Sequence, residues 1–423
     1  MIASNCLRRA APLHRLLART ALSRCSRGTS ALCRCLSTTA ADDARTAAAA
    51  HRTSVTQHLW KLRESQAPPL RPDGSRLPAD SRVVVAYDLT QDKELRNRYE
   101  SAFGTLRVGR LLEDMDALAG SVAYLHVDDG NPDTAPPILV TASMERLEVR
   151  DDTLALDEDY NLVGSLVWAG RSSLEIVAEL RHKDSDAVAL SAVFTFVARK
   201  RDGSGGHTVP PLTPETETEK RLFADAAKIQ AARKEQRQAA KDPSKKAESA
   251  AARDAQIEAL LKPGRIARDF PGQADEGFVL MHETSLKNAI TTQPQVRNTA
   301  GRVFGGALMR YALELAFATA YAFSGCAPTT RSIAQVDFVR PVEVGALLAL
   351  KSHVVHVCDQ GRVCVDVTAA VWKPGLREST LTNNFSFVFD ASKAPRPLKD
   401  VLPVVRTEAA MQLDAIERMT NCD

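Results

Sequence analysis

The sequence predicts an α+β fold made twice over: two fused units, each a curved antiparallel sheet wrapped around one long central helix. Three observations predict it. The chain repeats its own pattern on either side of a charged connector. Each half carries one helix signal that is apolar or small on most sides. Each half then supplies several strand-like runs, most of them after its helix.

The repeat comes first because it sets the number of units. Leu106–Tyr124 aligns without a gap on Val303–Tyr321, placing Gly109 against Gly306 and Asp116 against Leu313. Gly170-Arg171 opens the run Ser172–Leu180, as Gly361-Arg362 opens Val363–Val371. Paired phenylalanines, Phe194/Phe196 and Phe385/Phe387, follow those glycines at the same distance (194 − 170 = 385 − 361 = 24). Equal features at equal spacing imply an internal duplication, with units over residues 80–202 and 276–396.

The helices are Leu111–Leu125 and Ala307–Phe323. A helix apolar around its whole circumference is buried rather than laid on a surface, so the sheet in each unit must curl around it. Within the first helix, Glu113 and Asp114 read as a solvated pair. Strand signals, rich in β-branched and aromatic residues with partial alternation, fall on Val83–Leu89, Ile138–Val149, Leu162–Ala169, Leu174–Leu180 and Ala187–Ala198 in the first unit. In the second they fall on Ser332–Phe338, Leu347–Val357, Val363–Trp372 and Thr380–Phe389.

Residues 203–265 change character to Ala, Lys, Glu, Gln and Arg, and read as a charged, partly helical linker that Pro263-Gly264 ends. Residues 397–423 read as a C-terminal tail. Within residues 1–45, seven arginines (Arg8, Arg9, Arg15, Arg19, Arg24, Arg27 and Arg34) precede the first acid, Asp42. That Arg- and Ser-rich, acid-poor start is the profile of an organelle transit peptide, with Arg34-Cys35-Leu36-Ser37 resembling a matrix-processing site.

Composition narrows the function classes. A net charge of +3 over 423 residues, much of it in the leader, leaves no footprint for nucleic acid. No run approaches the ~20 apolar residues that span a bilayer. Four of the eight cysteines lie in the leader, and Cys326, Cys358, Cys364 and Cys422 show neither CxxC spacing nor a zinc-type His pair. No metal, disulfide or redox cofactor is expected. His353 and His356 read as exposed strand residues rather than ligands.

Several stretches carry a resemblance. They are Asn298 through Met309, Val336 through Gly345 with its Phe-x-Arg-Pro segment, Gly109 through Gly120, Gly170 through Glu175, His282 through Asn288, and Phe196 through Lys200. They resemble the hot-dog superfamily, and within it the tandem acyl-CoA thioesterases of the mitochondrial acyl-coenzyme A thioesterase 9 type. The resemblance implies a matrix enzyme that hydrolyses acyl-CoA to a carboxylic acid and free CoA. It implies a composite site, an asparagine from one unit and an aspartate from the other, and a homo-oligomer, with trimers of such pairs.

The residues fit that chemistry. Hydrolysis of a thioester needs donors for the developing oxyanion and a group to activate water or attack directly. Gly305 and Gly306 stand at a helix N-terminus, whose leading N–H groups lack intrahelical partners; the Gly306 N–H is expected to polarise the carbonyl and Gly305 to let the substrate approach, and Asn298 adds an amide donor. Asp116 lies seven residues beyond Gly109, about 10 Å along its helix. It is too far to serve its own helix start, but suited to serve the start of an antiparallel neighbour. Asp116 is expected to act as general base or as nucleophile.

The second half has Asn298 but Leu313 in place of the aspartate; the first has Asp116 but Ser101 in place of the asparagine. One complete site per chain follows, unless Glu314, next to Leu313, substitutes. Structural alternatives stand beside these: Asp116 as a solvent-facing carboxylate, Asn298 as the cap of a turn, and Gly305-Gly306 as a packing device. The resemblance also implies contact of Ser172 with the pantetheine arm. Arg171 and Arg362 either meet CoA phosphates or stand in solvent. Two rival functions remain: an enoyl-thioester hydratase or dehydratase, which pairs a His with an acid, and a non-catalytic acyl-CoA-binding protein. No His lies near either helix start.

Overall fold

The computed structural model describes residues 46–48, 59, 68–129, 131, 133–134, 136–150, 154–239, 243–273, 277–298, 301–334, 336–358 and 360–420. The leader expected over residues 1–45 lies outside them.

The strands are β1 (Thr46–Ala48), β2 (Val83–Tyr87), β3 (Ile138–Val149), β4 (Tyr160–Ala169), β5 (Ser173–His182), β6 (Val188–Arg199), β7 (Phe278–Leu280), β8 (Leu286–Thr291), β9 (Thr329–Ile333), β10 (Val336–Asp337), β11 (Leu347–Val357), β12 (Arg362–Lys373), β13 (Glu378–Asp390) and β14 (Asp400–Leu402). The helices are α1 (Lys93–Tyr99), α2 (Val108–Val127), α3 (Glu217–Ala239), α4 (Pro243–Asp269), α5 (Gly305–Ser324) and α6 (Arg406–Thr420).

The sheet shows the duplication directly. Among the described residues one sheet runs β1-β2-β4-β5-β6-β3-β9-β13-β12-β11-β8. Read from its two ends, β2-β4-β5-β6-β3 mirrors β8-β11-β12-β13-β9. Apart from the parallel β1–β2 pair its ladders are antiparallel. The halves meet where β3 pairs with β9, Leu147 opposite Ile333, and with β10, Val336 opposite Met144. Each half is a hot-dog unit, its sheet curved around its own helix, as the resemblance implies.

Inward alternation gives each sheet the apolar face that covers its helix. Leu174, Ile176, Ala178 and Leu180 of β5 are fully buried, as are Phe385, Phe387 and Phe389 of β13 to within 1%. The helix α2 is buried around almost its whole circumference. The helix α5 is buried on the face shared with α2 and its own sheet, and stops at Gly325, whose φ of 74° is the left-handed C-terminal cap that glycine favours. Ser332–Phe338, expected as one strand, is two, β9 and β10, of which β10 turns to pair with the other unit's β3.

Three expectations change. Glu113 and Asp114 are not solvated: they are 5% and 4% exposed. Glu113 pairs with Arg310 (2.9 Å) and Arg110 (2.7 Å). Asp114 accepts hydrogen bonds from the hydroxyls of Tyr87 (2.9 Å) and Tyr99. Burial first, and the Asp114 charge second, push both phenols well above their usual range. Sequence pattern shows a polar residue on a helix but not the partner that lets it go inside.

Secondly, the linker is mostly helix, and it is stitched down. Gln230 of α3 donates to Glu175 (2.7 Å) and Arg233 pairs with Glu145, so α3 crosses the outer side of the first unit's sheet. The helix does not end at Pro263-Gly264 but runs on to Asp269. A Cβ on Gly264 would lie 2.1 Å from the carbonyl oxygen of Pro403, so this glycine serves a close backbone crossing rather than a stop. Thirdly, the tail is ordered as β14 and α6. Ala409 and Leu413 of α6 pack on Ile257 and Leu261 of α4, and Arg406 and Arg253 pair with Asp254 and Asp414. His353 is likewise buried, and burial first and the Lys351 charge second hold its imidazole at about 4.

Candidate active site

The two long helices pack antiparallel across the boundary between units. Asp116 meets the start of α5, and Gly109 near the start of α2 meets Arg310 and Glu314. At Gly306 a Cβ would stand 2.7 Å from the Cα of Glu113, so only glycine admits this approach. Between the two ends lies the Glu113–Arg310 ion pair. These positions are equivalents in the internal repeat (310 − 113 = 306 − 109 = 197). A pair of identical halves would oppose two like charges here, whereas these unlike halves oppose opposite ones. Burial works against the Arg310 charge, but Glu113 and Glu314 hold its pKa above the ordinary value.

The Asp116 carboxylate is 5% exposed and held at both oxygens. The N–H of Gly306 donates to Oδ2 (2.8 Å), and the hydroxyl of Thr141 on β3 donates to Oδ1 (3.1 Å). The solvent-facing alternative for Asp116 is therefore excluded. The Gly306 N–H is committed to this carboxylate. The preceding N–H, that of Gly305, has no acceptor among the described residues and lines the same cavity as Asp116.

Asn298 lines that cavity too. Its Oδ1 accepts from the Arg302 N–H (3.0 Å), closing the turn before α5. The capping alternative therefore holds, and it does not compete with a site role. With Oδ1 fixed in the turn, any hydrogen bond to a carbonyl oxygen comes from Nδ2. The cavity holds about 320 Å³ between the units. Ile138, Leu139, Val140 and Phe196 line it from the first unit, and Leu308, Phe338 and Val342 from the second.

The structure thus brings Asp116, Asn298, Gly305 and Gly306 together. It leaves the other candidates outside. Arg171 is exposed in the turn between β4 and β5, where its carbonyl accepts from the Val209 N–H. Ser172 sits in the same turn, its carbonyl bonded to the Ala198 N–H. Arg362 opens β12 opposite Asp390. None of the three lines the cavity. Its arginines are instead Arg199, Arg302 and Arg340. Sequence reasoning missed them, and missed Thr141. Arg199 lies within the Phe196–Lys200 stretch and Arg340 in the Phe-x-Arg-Pro segment, so the signal was present without a direction attached. For Thr141 there was no signal beyond its place in a strand.

The mirror position is also a cavity, of about 500 Å³, lined by Ser101, Gly109, Leu313, Glu314 and Phe317 among others. Leu313 puts an apolar side chain where the other site has a carboxylate. Glu314 is tied into ion pairs with Arg107 and Arg310, and the Ser101 hydroxyl is bonded to Thr105 (2.9 Å) and to the Phe103 N–H (3.2 Å).

Comparison with known families matches residues 300–379 to the Thioesterase superfamily. Among curated proteins, the chain is 37% identical to acyl-coenzyme A thioesterase 2, chloroplastic, of Humulus lupulus, over 87% of this chain and 89% of that one. It is 38% identical to acyl-coenzyme A thioesterase 4, mitochondrial, of the same plant (86% and 73%). It is 34% identical to acyl-coenzyme A thioesterase 9, mitochondrial, of Mus musculus (79% and 76%).

Proposed function

This chain belongs to the acyl-coenzyme A thioesterase family, a family of thioester hydrolases, and we propose that it cleaves acyl-CoA to a carboxylic acid and free CoA at one composite site. The observation that carries this reading is the 2.8 Å hydrogen bond from the Gly306 N–H of the second unit to the Asp116 carboxylate of the first. It sets a base beside a helix start.

In the proposed reaction the thioester carbonyl points at the Gly305 N–H and the Asn298 amide. Asp116, steadied by Gly306 and Thr141, takes a proton from water as the oxygen attacks the carbonyl carbon. The oxyanion forms against donors already in place, which is where such donors contribute most. Its collapse breaks the C–S bond, and the proton on Asp116 passes to the thiolate. The division of labour between the glycines differs from the sequence-based expectation: Gly306 orients the carboxylate and Gly305 polarises the carbonyl. Direct attack by Asp116, giving an anhydride, is the second reading; label on Asp116 after a single turnover in ¹⁸O-water, from water attack at its own carboxyl carbon, would require that route, and hydroxylamine trapping of an acyl-enzyme checks it when the label goes to the acid.

A panel of acyl-CoAs of graded chain length, followed by free-thiol release, tests the activity and reports the chain preference. Thiol release from none of them, with crotonyl-CoA hydrated instead, would favour the hydratase. One site per chain is read from the mirror cavity, so Glu314→Gln is expected to leave kcat within about twofold, the scale of a surface ion-pair change. A loss comparable to that of an Asp116 variant would make Glu314 a second base.

We place the protein in the mitochondrial matrix, on the strength of its Arg-rich, acid-free start; organelle fractionation with the native N-terminus checks this against a plastid location. None of the described helices is long and apolar enough to cross a membrane. Self-association is supported by exposed Trp372 (46%) and Leu381 (50%) on neighbouring strands β12 and β13. A trimer is expected by light scattering, and a monomer at micromolar concentration would refute it.

A further inference from the structure

The two pseudo-equivalent cavities differ in charge as well as in chemistry. The cavity holding Asp116 has Arg199, Arg302 and Arg340 in its lining, and one carboxylate. Its mirror has Glu100 and Glu314 in its lining and one cation, Arg107, already paired with Glu314. The three arginines come from both halves: Arg199 ends β6 of the first unit, Arg302 sits in the turn capped by Asn298, and Arg340 follows β10. All three are exposed. Only Arg302 has an acidic partner among the described residues, Glu343 at 3.1 Å, itself exposed.

We infer that Arg199, Arg302 and Arg340 form the mouth that binds the phosphate groups of CoA, and that this charge, absent from the mirror cavity, selects which of the two cavities takes acyl-CoA. The inference rests on the hydrolytic reading above. Its physical basis is that guanidinium groups bind phosphate oxygens through short, charge-assisted, two-pronged hydrogen bonds. Two guanidinium groups with no acidic partner among the described residues, beside a buried carboxylate, suit a polyanion of which one end is neutral. Acyl-CoA is such a molecule: its phosphates stay at the rim while the uncharged thioester reaches Asp116. The mirror cavity offers a polyanion two carboxylates and no unpaired cation.

Two thioesters of one acyl group test this, acyl-CoA and acyl-N-acetylcysteamine, the second lacking every phosphate. The proteins are wild type, Arg199→Gln, Arg340→Gln, the double variant, and Arg171→Gln as a control of equal charge outside the cavity. In the double variant KM for acyl-CoA is expected to rise about tenfold or more, the scale of losing charge-assisted bonds. Its kcat, and KM for the truncated thioester, should stay within about twofold, because neither phosphate-free binding nor chemistry uses these groups. Arg171→Gln should match wild type with both substrates. Equal changes for both thioesters, or no change for either, would overturn the phosphate mouth while leaving the hydrolytic site standing. Failure of the wild-type protein to cleave either thioester would overturn the site itself, and this inference with it.

Discussion

Asp116→Asn is expected to lower kcat by about 10²–10⁴-fold, the range over which a positioned general base contributes, without unfolding the protein. The amide keeps the shape of the carboxylate. Its oxygen still accepts from the Gly306 N–H, and its nitrogen lies where the Thr141 hydroxyl can accept. What disappears is the capacity to take a proton from water. Asp116→Ala should fall as far in rate and also lose about 1–3 kcal/mol of stability, since it strands the buried Gly306 N–H. Thiol release from a long acyl-CoA, measured beside thermal melting, separates the two variants. Near-normal turnover by Asp116→Asn would remove this residue from the chemistry.

Gly306→Ala should be the more destructive change, for a different reason. The added methyl would sit 2.7 Å from the Glu113 Cα and 2.7 Å from the Phe304 ring. The first of these atoms is backbone on the opposing helix and cannot turn aside. Relief requires α2 and α5 to separate, which pulls Asp116 from the N-terminus it serves. Overpacking of this kind costs about 1–3 kcal/mol, and the displaced carboxylate should cost turnover as well. Gly305→Ala makes a sharp comparison. Its methyl meets the tip of the Phe338 ring at 2.9 Å, a side-chain end that can move, so it should melt close to wild type. Equal melting temperatures for Gly306→Ala and Gly305→Ala would contradict the close helix crossing.

Much of the fold was legible before any coordinates, and the reason is visible in particular residues. Ala187–Ala198 and Thr380–Phe389 announce themselves because alternating burial leaves an alternating sequence, and α2 because a helix buried all round is apolar on most sides. The doubled spacing of Gly170 to Phe194 and Gly361 to Phe385 revealed two units, and the Asp116–Leu313 exchange marked which corner carries a carboxylate. What stayed hidden depends on tertiary partners. Asp114 looks like a surface acid until Tyr87 and Tyr99 are seen closing on it. Pro263-Gly264 looks like a stop until the Pro403 carbonyl is seen lying across it. Leu286–Thr291 alternates weakly as an edge strand, and passed unnoticed. The linker's polar helices bury little of their own surface, so their docking shows only in cross-chain bonds such as Gln230 to Glu175. In the site, Arg199 meets Arg302 and Arg340, and Thr141 meets the Asp116 carboxylate, across chain separations where local pattern carries no information.

The central claim is that a carboxylate from the front half serves the helix start of the back half, once per chain. The most direct measurement is a structure of the Asp116→Asn variant with an uncleaved acyl-CoA bound. One thioester per chain is expected, in the cavity between the units, its carbonyl oxygen within hydrogen-bonding distance of the Gly305 N–H and the Asn298 amide. A thioester seated instead against Gly109 and Leu313, or with its carbonyl turned away from the start of α5, would contradict it.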